Sequence, residues 1–245
     1  MTSLPSLNER SALFLDFDGT LADLAPRPDA VVVPHDLVML LQALQTRLGG
    51  AVAIVTGRSA ADIDPWLAPL RLGTAFEHGA LRRSADGTEH VHAAPDLGPA
   101  LAAACALAEK YPHLLVERKR TSLALHYRQA LHLEARCIEV MGAAVAQMPG
   151  LQLQRGKAVV EVKPDSVGKG RAIAAFMAEA PFAGRVPVFA GDDVTDEAGF
   201  EVVQQLGGHA IKVGDGVTAA RHRCASPGGL RAWLAAAVRN MKANP

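Results

Sequence analysis

The chain has 245 residues, 49% of them hydrophobic and 20% charged, enough for one large α/β unit or a core with a smaller companion domain. Its 25 basic and 25 acidic side chains cancel, which excludes a general attraction to nucleic acid or to a membrane surface, so a ligand must be recognised locally. Cys105, Cys137 and Cys224 lie far apart without metal-type spacing, and neither a basic leader nor a run of about 18 apolar residues is found; reduced thiols in a soluble, cytoplasmic protein are expected.

In chain order, an apolar run predicts a strand over Ala12–Asp16, and helical periodicity predicts a helix from about Pro34 to Leu48. AVAIV (Ala51–Val55) reads as the second strand. Ser59 is the N-cap of a short helix ending at Leu67, in which Pro65 limits regularity, and a third strand lies near Gly73–Glu77. This β-α-β-α-β order implies a parallel sheet covered on both faces. After the turn-rich SADGTEH the rhythm changes. Residues 97–110 are helical, LLVE and SLALHY are strands, Leu131–Gln147 is helical, and Leu151–Gln154 and Ala158–Val162 are strands again. From Gly168 the first rhythm resumes with a helix to Glu179, strand VPVFAG, a helix over Asp196–Leu206, strand HAIKV and a last helix from about Gly228 to Met241. The expected architecture is a Rossmann-like α/β core over 1–93 and 166–245, interrupted by an inserted αββαββ domain over 94–165.

The stretch LFLDFDGTLADL sends two carboxylates, Asp16 and Asp18, out of the end of a buried strand. Open α/β sheets bind ligands at the carboxyl ends of their strands, residues two apart leave a strand on the same side, and Gly19 permits a tight turn. An Asp-Gly turn is the simpler explanation of this stretch alone. A calcium loop of the EF-hand type is another, but it needs oxygen ligands at alternating positions after a helix, and here a strand precedes. A second acidic cluster, AGDDVTDE (Ala190–Glu197), follows a second apolar strand. Two such clusters at one sheet edge repel unless a cation lies between them, and hard oxygen ligands with waters suit Mg²⁺. TGR (Thr56–Arg58) offers a hydroxyl and backbone amides at a helix start, a place for phosphate oxygens. Lys169 in GKG supplies a point charge for a phosphate or a neighbouring carboxylate.

In this order, DFDGT, TGR, the lysine of VGKG and GDDVTDE resemble the four signature motifs of the haloacid dehalogenase superfamily of phosphohydrolases, and they span Asp16–Glu197. The form GDDVTDE, the inserted domain and VERKRTSLALHYR (Val116–Arg128) resemble more closely the trehalose-6-phosphate phosphatases. The resemblance implies a haloacid dehalogenase-type core with a cap, and a Mg²⁺-dependent phosphatase that releases trehalose and phosphate. It makes Asp16 the nucleophile, forming an aspartyl phosphate, and Asp18 the general acid and then the base. The metal would take carboxylates from Asp16 and Asp192 and the backbone carbonyl of Asp18, while Asp193 and Asp196 hold metal-bound waters or Lys169. Thr56 and Lys169 would bind the transferring phosphoryl group, with Gly57, Arg58, His78 and Gly79 on the substrate side. The cap pattern falls on Glu117, Lys119, Ser122, His126, Tyr127 and Arg128, with a further glutamate at Glu161. Of these, Glu117, Lys119, Arg128 and Glu161 are expected to meet the sugar, because an uncharged disaccharide offers only hydroxyls to recognise. Two alternatives stand open: the same chemistry on another sugar phosphate, such as sucrose 6-phosphate or mannosyl-3-phosphoglycerate, and a non-catalytic phosphosugar-binding module.

Overall fold

The computed structural model describes residues 3–93 and 95–241. The domain boundary expected at 94 lies outside the described residues. The elements follow in chain order: β1 (Ser11–Leu15), α1 (Leu37–Arg47), β2 (Val52–Val55), α2 (Ala60–Leu67), β3 (Gly73–Phe76), β4 (Leu81–Arg83), β5 (Glu89–Val91), α3 (Gly98–Lys110), β6 (Leu115–Arg118), β7 (Leu123–His126), α4 (Glu134–Val145), β8 (Leu151–Gly156), β9 (Val159–Pro164), α5 (Lys169–Met177), β10 (Val186–Gly191), α6 (Glu197–Gln205), β11 (His209–Val213), β12 (His222–Cys224) and α7 (Pro227–Asn240). Two compact units emerge, one of Met1–Val91 with Gly168–Pro245, the other of His92–Val167.

The first unit is built on an eight-stranded sheet in the order β12-β11-β10-β1-β2-β3-β4-β5. Every residue of β1 is buried, and alternate side chains serve two cores. Leu13, Leu15, Val52 and Ile54 pack with Leu41, Leu44, Leu230 and Leu234 of α1 and α7. Ala12, Phe14, Ala53 and Val55 pack with Ile173, Phe176 and Phe200 of α5 and α6. Burial on both faces is why these strands read as unbroken apolar runs rather than alternating ones. Each large side chain so buried contributes about 1.5–3 kcal/mol. Helix α2 begins with a capping box in which Ser59 Oγ donates to Asp62 Oδ2 at 2.7 Å, and Pro65 lies inside the helix.

The sheet differs from the expected all-parallel form at one edge. β3, β4 and β5 pair antiparallel, so SADGT forms the tip of a hairpin that extends the core sheet, and the Glu-His that follows belongs to β5. β5 is exposed at all three positions and β4 is half-buried, so neither carries the apolar run that marks a strand in sequence. β12, His222–Cys224, was hidden for the same reason and pairs parallel with β11. From β1 the chain proceeds to β2 and β3 on one side, whereas β10, β11 and β12 fill the other. The strand order therefore reverses between β1 and β10, the point outside whose carboxyl ends open α/β sheets bind their ligands.

The second unit is a four-stranded antiparallel sheet, β6-β7-β9-β8, with α3 and α4 on one face. Leu123, Leu125, Val160 and Val162 point into that core with Ala104, Leu107, Cys137 and Met141. The intervening positions form the other face, where Glu117, Ala124, Glu161 and Gln154 stand in one row across the four strands.

Candidate active site

Asp16 lies one residue beyond β1, and its amide donates to the Ala190 carbonyl of β10 at 3.0 Å, so the adjoining strand sets its position. Its Oδ1 accepts from Lys169 Nζ at 2.6 Å and its Oδ2 from Thr20 Oγ1 at 2.9 Å. Lys169, the first residue of α5, donates also to Asp196 Oδ1 at 2.7 Å. Asp196 is fully buried, and its Oδ2 accepts from the amides of Asp192 and Asp193 at 3.0 and 2.9 Å. One carboxylate thereby ties the lysine to the whole turn after β10. Two glycines make room for this arrangement. Gly19 has φ +75°, and a Cβ there would stand 2.2 Å from Asp192 Oδ2; a Cβ on Gly191 would stand 2.3 Å from Asp196 Cγ.

Carboxylate oxygens of Asp16, Asp192 and Asp196 lie within 4.8 Å of one another. Three carboxylates stand against two ammonium groups, Lys169 bonded to Asp16 and Asp196 and Lys212 to the Asp192 carbonyl, and leave one negative charge in a desolvated place. Burial pushes Asp16 well above the usual carboxylate range; Lys169 opposes this, while Asp196 and Asp192 reinforce it. Burial works against the Lys169 ammonium, but Asp16 and Asp196 outweigh it and hold its pKa above the ordinary lysine value. A divalent cation among these oxygens would supply the missing balance, and the all-oxygen donor set suits a hard ion. The residues present therefore fit a metal site.

Around this cluster the other core residues of the sequence pattern converge. Thr56 is fully buried at the end of β2, and its Oγ1 accepts from the Arg58 amide at 3.1 Å. Arg58 Nε and Nη2 donate to the two carboxylate oxygens of Asp18 at 2.6 and 2.8 Å. The guanidinium lies 4.6 Å over the Trp66 ring, which stacks in turn on Phe17. Asp18 is thus held in a two-pronged ion pair, with its side chain outside the group formed by Asp16, Asp192 and Asp196. His78 packs against Gly57, where a Cβ would come within 2.6 Å of its ring. Its amide donates to the Thr56 carbonyl at 2.8 Å, and the Glu77 amide to that of Arg58 at 2.9 Å. Glu77 and His78 both take positive φ, 46° and 59°, at a cost of about 1–3 kcal/mol each. Gly79 follows at φ +104°, its missing Cβ 3.0 Å from the Ala172 Cβ.

Lys212 escaped the sequence reading. It is 5% exposed in β11, and its ammonium donates to the Asp192 carbonyl. The available signal was a lysine in the otherwise apolar strand HAIKV; a lysine in a strand covered on both faces needs a buried partner.

Within the second unit, Glu117 Oε2 meets His126 Nε2 at 2.7 Å, and this bond holds the Glu117 carboxyl below its usual range. Glu161 Oε1 accepts from Ser122 Oγ at 2.6 Å and from Lys119 Nζ at 3.2 Å. These five residues form two neighbouring hydrogen-bonded groups on the face away from α3 and α4. Tyr127 belongs to the opposite, apolar side: it is buried in the core and donates to Glu134 Oε1 at 3.1 Å. Arg128 is exposed, with Nη2 donating to the Lys157 carbonyl at 3.5 Å.

The trehalose-phosphatase family model matches residues 14–226. The trehalose-6-phosphate phosphatase of Escherichia coli K12 is 44% identical over 239 residues, covering 96% of this chain and 89% of its own. Among solved structures, the C-terminal domain of Candida albicans trehalose-6-phosphate phosphatase superposes with a TM-score of 0.85 at 23% identity, covering 95% of this chain and 93% of that one. The trehalose-6-phosphate phosphatase of Aspergillus fumigatus gives a TM-score of 0.65 at 26% identity, covering 97% and 99%. By its family match and by its identity to the bacterial enzyme, the chain belongs to the trehalose-phosphatase family.

Proposed function

We propose that this chain is a Mg²⁺-dependent phosphatase that hydrolyses trehalose 6-phosphate to trehalose and phosphate through an aspartyl phosphate on Asp16. The observation that carries the reading is the contact of Asp16 with Lys169 at 2.6 Å, beside Asp192, at the point where the strand order reverses. Asp16 attacks phosphorus with a carboxylate oxygen, and the bond from phosphorus to the sugar oxygen breaks. Lys169 and the Thr56 hydroxyl take the charge spread over the phosphoryl oxygens, which is the main demand of phosphoryl transfer. Asp18 gives a proton to the departing sugar oxygen and then takes one from the water that cleaves the mixed anhydride. Both Asp18 oxygens accept from Arg58, whose plane is set by Trp66, so this pair opens before Asp18 carries the proton that it gives. Asp16, Asp192 and the Asp18 carbonyl would hold the cation, and Asp196 orients Lys169 and the Asp192 amide. When bound, the cation screens the substrate dianion and keeps Asp16 ionised.

In this reading His92–Val167 is the cap that selects the sugar. Glu117, Lys119 and Glu161 bond the disaccharide hydroxyls, with Arg128, His78, Gly79 and Gly57 at the margins of the substrate. Three free cysteines, two of them buried, accord with a reducing, cytoplasmic setting. Among the described residues no helix is long and apolar enough to cross a membrane.

The test is phosphate release from a panel of sugar phosphates by the purified chain, with Mg²⁺ and with chelator. Trehalose 6-phosphate is expected to be turned over in preference to sucrose 6-phosphate and glucose 6-phosphate, and chelator to abolish release. Comparable rates across the panel would contradict the substrate, and release undiminished by chelator would contradict the metal.

A further inference from the structure

We infer that Lys212 is a positioning residue for the metal site: its ammonium locks the backbone of Asp192 so that the carboxylate stays aimed at the Asp16–Gly19 turn. Lys212 stands opposite Gly191 in the parallel register of β10 and β11, one residue short of Asp192. Its side chain reaches forward along the sheet to the Asp192 carbonyl. The amide of the same residue is held by Asp196 Oδ2 at 3.0 Å. Both peptide groups of Asp192 are thereby pinned by charged side chains, one from α6's leading turn and one from β11. The Asp192 carboxylate leans into the space that a Gly19 Cβ would fill, 2.2 Å from it, so the aim toward the Asp16–Gly19 turn depends on glycine there.

A buried ammonium loses hydration that one carbonyl does not repay. That carbonyl belongs to Asp192, one of the three clustered carboxylate residues, whose negative charge acts in the same direction. Two opposite effects on the cation follow. Held in place, Asp192 binds it better; the positive charge of Lys212 repels it. The positioning account requires the first to win, since partners that orient metal ligands are worth about 10–100-fold in affinity.

This inference rests on a divalent cation binding at the carboxylate cluster, and the experiment separates the two. Mg²⁺ is titrated calorimetrically into the wild-type chain and into Lys212→Met and Lys212→Arg, without substrate. Wild type is expected to bind one ion, Lys212→Met about 10-fold or more weakly, and Lys212→Arg closer to wild type than Lys212→Met. At saturating Mg²⁺ the KM for the sugar phosphate should be unmoved in Lys212→Met. Equal or tighter Mg²⁺ binding by Lys212→Met overturns the inference, because the lysine would then act only as a charge. A wild-type chain that binds no Mg²⁺ overturns the metal reading and this inference with it. If Lys212→Met does not fold, Lys212→Gln, a shorter and uncharged donor, is titrated to the same criterion. Failure of both to fold overturns the inference by making Lys212 a folding residue.

Discussion

The two units handle charge in opposite ways. At the carboxyl edge of the first, Asp16, Lys169 and Asp196 are 4%, 3% and 0% exposed, and glycines are the only residues the neighbouring carboxylates tolerate. On the polar face of the second, exposure is graded: Glu117 keeps 39% and His126 22% of its side-chain surface in solvent, while Lys119 and Glu161 keep 13% and 8%. The first arrangement is specified by packing, and every partner is over-determined. The second is specified by sheet alternation, which sets the side each residue faces and leaves its reach adjustable. Phosphoryl transfer needs fixed charges in a dry place, whereas choosing among polyhydroxy ligands needs donors and acceptors on an accessible face.

Substitutions should show that contrast directly. Asp16→Asn should lower phosphate release by at least about 10⁴-fold, the scale of losing a covalent nucleophile, with the melting temperature little changed; measurable turnover near wild type would dissolve the distinction at its centre. Gly19 and Gly150 form a matched pair, both left-handed at φ +75° and +80°, the first crowded by Asp192 and the second with nothing within 4 Å of a Cβ. Gly150→Ala should cost about 1 kcal/mol in urea unfolding through strain alone, with turnover within about twofold of wild type. Gly19→Ala should add to that a displaced Asp192 and a loss of Mg²⁺ affinity of about 10-fold or more, read by metal titration. Equal effects at the two glycines would mean that packing at the acidic edge is looser than described.

Glu161→Gln should reduce kcat/KM on trehalose 6-phosphate by about 10–100-fold, the range of a lost charged hydrogen bond, while p-nitrophenyl phosphate is hydrolysed as before. An equal fall on both esters would place Glu161 in the chemistry and not in selection. The smallest effect concerns acid. The hydrogen bond from His126 holds Glu117 below the ordinary carboxylate value, so the pair stabilises the second unit above the unfolded pKa of about 4.3 and loses that contribution as pH falls through the lower folded value. Amide exchange in β6 and β7 should accelerate in that acid window in wild type and show no such step in Glu117→Gln. A step of the same size in both proteins would assign the transition to other groups.

Much of the site was legible because its chemistry writes itself in residue types. Carboxylates directly after apolar strands, as at Asp16 and Asp192, stand out against the runs that precede them. The polar face of the second unit was legible through the family pattern, and strand alternation agrees with it, with Tyr127 turning inward where the pattern alone could not say. What stayed hidden depends on backbone atoms. The bond of Asp196 to Lys169 was among the expectations, but its bonds to two amides, and that of Lys212 to a carbonyl, use partners that exist at every position of any sequence and so leave no mark. The β4–β5 hairpin was hidden because an exposed antiparallel edge buries too little apolar surface to impose a period.

The claim beneath all of this is that Asp16 takes the phosphoryl group itself. The direct measurement is an acid-quenched single turnover of trehalose 6-phosphate with Mg²⁺, followed by mass spectrometry of the peptide that contains Asp16. The account predicts a hydroxylamine-sensitive phosphoryl adduct on Asp16 that forms and decays within the turnover and is missing when chelator is added first. Phosphate released at the full rate with no adduct at any quench time would contradict it.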